Sequence, residues 1–313
     1  MRYVHDHTLF CPGLNKYRED QETCHEPMGF PCLRNYYLGP GCVGFKAPGH
    51  RNRVTEPIGE MLVKWRELEL ARRSTHTLTN SRYMQGELLQ VGFPPERTSV
   101  LYYFTMSGTS FQPPGPLPRA TEDFLATTSG PLIFTPARLT LPDKGVDHLL
   151  TALVDVGHPF RAVIAGTGGQ EAWLRQKAAD VGVGDRVHFS GWTDSGAIET
   201  LYERADLVVC PSVWDEPFGL VGIEAMAHGR PLVAFRVGGI PEWLLEGENG
   251  RSLPRKDTRG MSRAIEDLLG DPEEARRLGE GGRRVVAERF PRDRHVQDLE
   301  STLAAAAGHP GEW

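Results

Sequence analysis

The chain has no run of eighteen apolar residues, so nothing in it reads as a membrane-spanning helix. It has no excess of positive charge. Lys and Arg number 35 against 41 Asp and Glu, a formal net charge of −6, which removes the electrostatic footprint of a nucleic-acid-binding surface. It has no internal repeat, which excludes a solenoid. Cysteine is scarce, at five residues, and no two cysteines stand at C-x2-C spacing, so the signal for a structural zinc is weak. Four of the five, Cys11, Cys24, Cys32 and Cys42, nevertheless fall close together in a segment with few large apolar residues. Zinc, disulfides, or reduced thiols in an ordered loop remain three open accounts of that cluster, and no metal is assigned.

What is present fits a soluble globular protein: 39% apolar and 24% charged residues, in a chain of 313 that suggests two domains of ordinary size. The character changes near residue 128. Residues 1–58 are rich in Gly, Pro, Cys and His and show little periodicity. Amphipathic helices are expected over 60–73 and 81–89, the second with Ser81 as its N-cap, and a short strand over 100–104. Residues 107–120, with Pro113-Pro114-Gly115-Pro116 and Pro118, read as a linker.

From Pro131 on, strands and helices alternate. Strands are expected over 132–135, 162–165, 187–190, 207–210 and 232–235. Helices are expected near 145–156, 170–181, 195–204, 219–228, 239–246, 258–269 and 272–289. This is the pattern of a doubly wound parallel sheet, which binds ligands outside the carboxyl ends of its strands.

One stretch, residues 211–231, carries the most information. It holds Glu216 and Glu224 with seven residues between them, and follows the apolar run Asp206-Leu207-Val208-Val209-Cys210, short enough for a buried strand. Phe218-Gly219 turns the loop into a helix whose first N–H groups and positive dipole end suit an anion. Glu216 then lies on the loop and Glu224 about a turn and a half inside the helix. Two such carboxylates suit one ligand charged in its middle and hydroxylated at both ends, as a nucleotide sugar is. Two solvated glutamates on a surface helix would leave Phe218-Gly219 and Gly229-Arg230-Pro231 without a purpose.

The block resembles the E-x7-E motif of the family-four retaining glycosyltransferases (GT-B, glycosyl transferases group 1), and the resemblance extends over about residues 80–290. It implies an α/β GT-B fold of two Rossmann-like doubly wound domains, the first one incomplete. The implied boundaries are a partial acceptor-side domain over 1–128 with the Cys/Gly/Pro-rich segment, a nucleotide-sugar-binding domain over 129–290, and a C-terminal helix and tail over 291–313. By the same resemblance Arg138 and Lys144 grip the donor diphosphate. Gly166 and Gly168 let backbone approach the ligand, and Trp192 borders the nucleoside base. Phe218, Gly219, Leu220 and Val221 offer N–H groups to the distal phosphate. Glu216 accepts from sugar hydroxyls and Glu224 from the ribose. Arg236-Val237-Gly238-Gly239-Ile240-Pro241-Glu242 matches a further glycine turn of the family.

His5, at the end of Val4-His5-Asp6, is the candidate for the family's sugar-facing histidine, with His7 as the alternative. The implied reaction moves a sugar, held between the domains, to an acceptor hydroxyl with its anomeric configuration kept. No metal or other cofactor is required, because protein cations stabilise the leaving group. The acceptor is a small molecule, a glycan or a lipid-linked molecule, and no nucleic acid is involved. About 90 residues of the family's first domain, roughly three βα units, have no counterpart before Val4. A donor-binding half completed by a partner polypeptide, or an inactive remnant, is therefore the second reading. An epimerase or phosphorylase of the same fold is a third, and the lysine context of a pyridoxal-dependent phosphorylase is not found. Met1-Arg2-Tyr3-Val4-His5-Asp6-His7 lacks the apolar centre of a signal peptide. The expected location is cytoplasmic, peripheral to the membrane where the acceptor is a lipid.

Overall fold

The structure, a computed structural model, describes residues 1–12, 16–18, 22–26, 28–39, 41–42, 56–109, 112–139 and 142–308. Much of the Cys/Gly/Pro-rich segment, residues 110–111 of the expected linker and the last five residues of the tail thus lie outside the described residues. The chain folds into two compact units that do not follow a single cut in the sequence. Residues 1–103, 214–218 and the chain from Asp293 on form one, and 104–213 with 219–292 form the other.

The first unit is built on three parallel strands in the order β1 (Arg2–Val4), β2 (Thr77–Thr79) and β3 (Thr98–Val100), with Val4 opposite Thr79 and Thr79 opposite Val100. Helices α1 (Phe30–Leu38), α2 (Glu56–Arg72) and α3 (Arg82–Gln90) accompany them. Val4, Phe10, Leu68, Met84, Leu88 and Phe93 share one buried cluster. Ser81 caps α3 as expected, its Oγ accepting from the N–H of Met84 at 3.0 Å. The strand expected over 100–104 lies earlier, ending at Val100. The apolar character of 101–104 serves packing rather than a ladder: the Tyr103 ring meets Phe218 edge to face at 5.6 Å.

The second unit contains α4 (Arg119–Thr127), β4 (Leu132–Pro136), α5 (Val146–Val154), β5 (Arg161–Ala165), α6 (Glu171–Asp180), β6 (Val187–Gly191) and α7 (Ser195–Arg204). It continues with β7 (Leu207–Cys210), α8 (Leu220–Ala227), β8 (Leu232–Phe235), β9 (Gly250–Leu253), α9 (Thr258–Gly270) and α10 (Pro272–Arg289). All six strands are parallel, in the order β6-β5-β4-β7-β8-β9. Leu132 to Phe134, Leu207 to Val209 and Leu232 to Phe235 are buried throughout, as strands covered on both faces must be. The last helix, α11 (Arg292–Ala306), leads the chain back to the first unit.

Three readings are corrected. The segment expected as linker ends in α4, which starts directly after Pro118. The helix expected over 239–246 is a single 3-10 turn, Ile240–Glu242. There Asn249 takes over the backbone, its Oδ1 accepting from Leu245 N–H at 2.8 Å and its Nδ2 donating to the Trp243 carbonyl at 2.7 Å, so the helix does not propagate. The sixth strand, β9, was not expected, because Gly250-Arg251-Ser252-Leu253 offers one aliphatic side chain. Its place is set by backbone contact: a Cβ on Gly250 would lie 2.3 Å from the Leu232 carbonyl oxygen.

Candidate active site

In the second unit the strand order reverses between β4 and β7, and the loops after these strands lie at the carboxyl end of the sheet, where such folds bind ligands. Glycines let those loops close on one another. Gly145 has φ 63°, and a Cβ there would stand 1.9 Å from the Pro211 carbonyl oxygen. Gly166 has φ 143°, and a Cβ there would stand 2.0 Å from the carbonyl oxygen of Ala137. Hydrogen bonds then lace the loops together: Val213 N–H to Asp143 at 2.9 Å, Leu139 N–H to Thr167 at 2.9 Å, and Gly166 N–H to Gly191 at 2.9 Å. Arg138 and Lys144 sit on this laced frame, Arg138 exposed and Lys144 half-buried. Gly168 closes the turn into α6, its carbonyl accepting from Glu171 N–H at 3.1 Å. Trp192, after β6, is 75% exposed, so its ring is not core filling and stays available for stacking.

Gly219 heads α8 in the left-handed region, φ 87°. Leu220 and Val221 form the first turn, whose N–H groups have no acceptor within the helix. The turn is seated by Trp243, a fully buried residue that the sequence reading missed: a Cβ on Gly222 would fall 2.4 Å from its ring. Its signal was present only as a large aromatic three residues past Gly-Gly-Ile, with no periodicity to place it.

Glu224 lies further along α8 and is half-buried. Burial raises its carboxyl above the usual range, the Glu199 charge adds to this, and a hydrogen bond from Tyr202 opposes it. The Tyr202 hydroxyl donates to Glu224 Oε2 at 2.9 Å. Tyr202 was not singled out from the sequence, where it reads as one apolar position of a helix.

The loop carrying Glu216, Asp215 and Phe218 packs within the first unit. Ser81 Oγ donates to the Pro217 carbonyl at 2.5 Å, and Phe218 is buried against Tyr102 and Tyr103. His7 is fully buried, its ring 5.7 Å from that of Trp214, and its Nε2 is 3.0 Å from the Tyr83 hydroxyl. Burial, with Lys16 adding, pushes the His7 imidazole down to about 4, while Asp6 and Glu216 pull the other way. His5 is exposed just beyond β1, with Asp6 at 3.5 Å. It is therefore His7 that packs beneath the carboxylate loop, and His5 that faces outward.

Cys11, Cys24, Cys32 and Cys42 line one cavity of about 120 Å³ and form no disulfide. Among the described residues no three His, Cys, Asp or Glu side chains are placed to hold a metal ion, and no helix is long and apolar enough to cross a membrane.

Comparison with known proteins gives the family and the fold. Residues 120–285, just over half of the chain, match the family model described as Glycosyl transferases group 1. Glycogen synthase of Mycobacterium tuberculosis is 36% identical over 151 residues, which are 47% of this chain and 36% of that protein. Alpha-D-kanosaminyltransferase of Streptomyces kanamyceticus is 29% identical over 244 residues, 76% of this chain and 61% of that one. The chain thus spans between about a third and three fifths of the length of these relatives. Among solved structures, Anabaena Alr3699/HepE in complex with UDP superposes with a TM-score of 0.69 at 25% identity, covering 78% of this chain and 68% of that one.

Proposed function

The chain belongs to the Glycosyl transferases group 1 family, and from that premise we propose that it is a family-four retaining glycosyltransferase using a nucleoside-diphosphate sugar. The observation that supports the reading is the strand-order reversal between β4 and β7, where the loops that carry Arg138 and Lys144 are hydrogen-bonded to their neighbours and Gly219 starts α8, with the half-buried Glu224 further along it. The UDP in the Anabaena Alr3699/HepE structure supports a nucleoside diphosphate as the ligand class.

Each residue then has a role set by its chemistry. Arg138, Lys144 and the N–H groups of Gly219, Leu220 and Val221 hold the diphosphate as its negative charge grows in the transition state. Gly166 and Gly168 leave room for backbone to approach it. Trp192 stacks on the base, and Glu224 accepts from the ribose hydroxyls. Glu216, with Phe218 anchoring its loop, accepts from the sugar. The bond between the anomeric carbon and the phosphate oxygen breaks as the acceptor oxygen bonds the same carbon from the same face. The acceptor proton passes to the departing phosphate oxygen, so configuration is kept and no protein nucleophile is needed. No divalent metal takes part, because the cations and the α8 terminus carry its load. The acceptor is a small molecule, a glycan or a lipid-linked hydroxyl.

Thermal unfolding of the chain against UDP, GDP, ADP and their sugars tests the reading, since a ligand that binds only the folded state raises the melting temperature. One base is expected to stabilise the protein, and Glu224→Ala to abolish the shift. No shift with any nucleotide would defeat the proposal. An inverted anomeric configuration in the product, read by proton NMR, would defeat its retaining part.

A further inference from the structure

We propose that Tyr202 is a positioning residue for Glu224: its hydroxyl, on a ring held by the buried Glu199–His228 pair, fixes one carboxylate oxygen and leaves the other to the ligand. The inference rests on the reading of Glu224 as the ribose-binding carboxylate.

Tyr202 is fully buried, and its ring is gripped on two sides. Phe134 meets it edge to face at 5.0 Å, and the His228 imidazole stacks on it at 5.3 Å with an interplanar angle of 13°. His228 is itself fixed, its Nε2 lying 2.9 Å from Glu199 Oε2. Glu199 is fixed in turn: it accepts from Ser107 Oγ at 2.5 Å, Gly108 N–H at 2.8 Å and Gln112 Nε2 at 2.9 Å. Glu199 and Tyr202 stand one turn apart on α7, and Glu224 on α8 stands one turn before His228, the residue that ends that helix, so the two elements interlock through crossed polar pairs. At the end of this chain the Tyr202 hydroxyl engages Oε2 of Glu224 at 2.9 Å, and among the described residues no bond to Oε1 is found.

That bond has a second consequence. The groups facing Glu224 and its tyrosine are the Glu199 carboxylate from α7, the His228 imidazole from α8 and the Cys210 thiol from β7. Burial and the Glu199 charge favour a neutral Glu224, and the tyrosine bond favours the carboxylate. Burial also raises the Tyr202 phenol well above its ordinary value, so it remains a donor throughout the working range. Removing the hydroxyl weakens nucleotide binding and moves its loss to a higher pH, because Glu224 then protonates sooner. A tyrosine that merely fills space would do neither when its ring is kept.

The test is calorimetric titration of the full chain with UDP, GDP and ADP between pH 5 and 9, for the wild type, Tyr202→Phe and Glu224→Gln. Tyr202→Phe is expected to bind the preferred nucleotide about tenfold more weakly at neutral pH, the worth of one hydrogen bond to a charged group. Its acid limb is expected at higher pH. In turnover its donor KM rises about tenfold with kcat within about threefold, the mark of uniform binding lost. Site-specific 3-fluorotyrosine in place of Tyr202 keeps ring and hydroxyl but donates more strongly, and is expected to move the acid limb the opposite way. It serves also if Tyr202→Phe does not fold. Unchanged affinity and pH limb in both proteins, with Glu224→Gln impaired, overturns the inference alone. Wild-type affinity in Glu224→Gln overturns the donor reading and the inference with it.

Discussion

His7 shows how one buried side chain ties stability to pH. Its imidazole is pushed down to about 4 in the fold, mainly by burial, whereas it titrates near 6.5 when the chain is unfolded. Between these values the unfolded chain binds the extra proton, so stability is complete above pH 6.5 and is lost as pH falls towards 4. The loss at pH 5 is about 2 kcal/mol, at 1.36 kcal/mol per pH unit below 6.5. Urea unfolding at pH 7 and pH 5 should show a drop in the wild type that is smaller by about 2 kcal/mol in His7→Gln; the same drop in both proteins would refute it. Gly145 is a second single-residue test. Gly145→Ala places a methyl 1.9 Å from the Pro211 carbonyl oxygen at positive φ. The expected destabilisation is roughly 2–4 kcal/mol, from the left-handed backbone and the overpacking together. A melting temperature within one degree of wild type would contradict it.

At the scale of elements, the start of α3 and the loop after β7 share one side chain. Ser81 accepts from Met84 N–H through its Oγ and donates its proton to the Pro217 carbonyl. Ser81→Ala therefore removes a cap, about 1 kcal/mol, and leaves a buried carbonyl unpaired, about 1 kcal/mol more. Because Pro217 follows Glu216 directly, a larger fall in kcat than rise in donor KM is expected of this variant; steady-state kinetics against the nucleotide sugar decides. The N-cap was legible in the sequence because Ser before a helical apolar pattern has one local meaning. Its bond to Pro217 was not, because 136 residues separate the two.

At the scale of the whole molecule, the prediction concerns how charge is held. If Arg138, Lys144 and the α8 terminus carry the diphosphate, Lys144→Ala should weaken nucleoside diphosphate binding about 10- to 100-fold, as the loss of a charge-assisted contact does. It should also flatten the dependence of affinity on salt, since one fewer charge is screened. Saturation with EDTA should leave affinity unchanged. A loss of binding on chelation would show that a metal, not these cations, balances the phosphates.

The sequence by itself determined the alternation of the second unit and the place of its principal motif. Apolar runs such as Leu207 to Cys210 need burial on both faces, and only a covered parallel strand provides it. Gly219 before an apolar helix likewise fixed the loop-to-helix turn on local grounds. The resemblance of residues 211–231 to a known motif added the ligand class. Only the tertiary structure decided the rest. β9 carries too few apolar side chains to announce itself and is held by backbone contact. The helix expected over 239–246 yields to the side chain of Asn249, which takes the backbone groups of Trp243 and Leu245. Tyr202, Trp243 and His7 matter through what they touch across the fold, and no local pattern encodes a partner that the chain meets only after it has closed on itself.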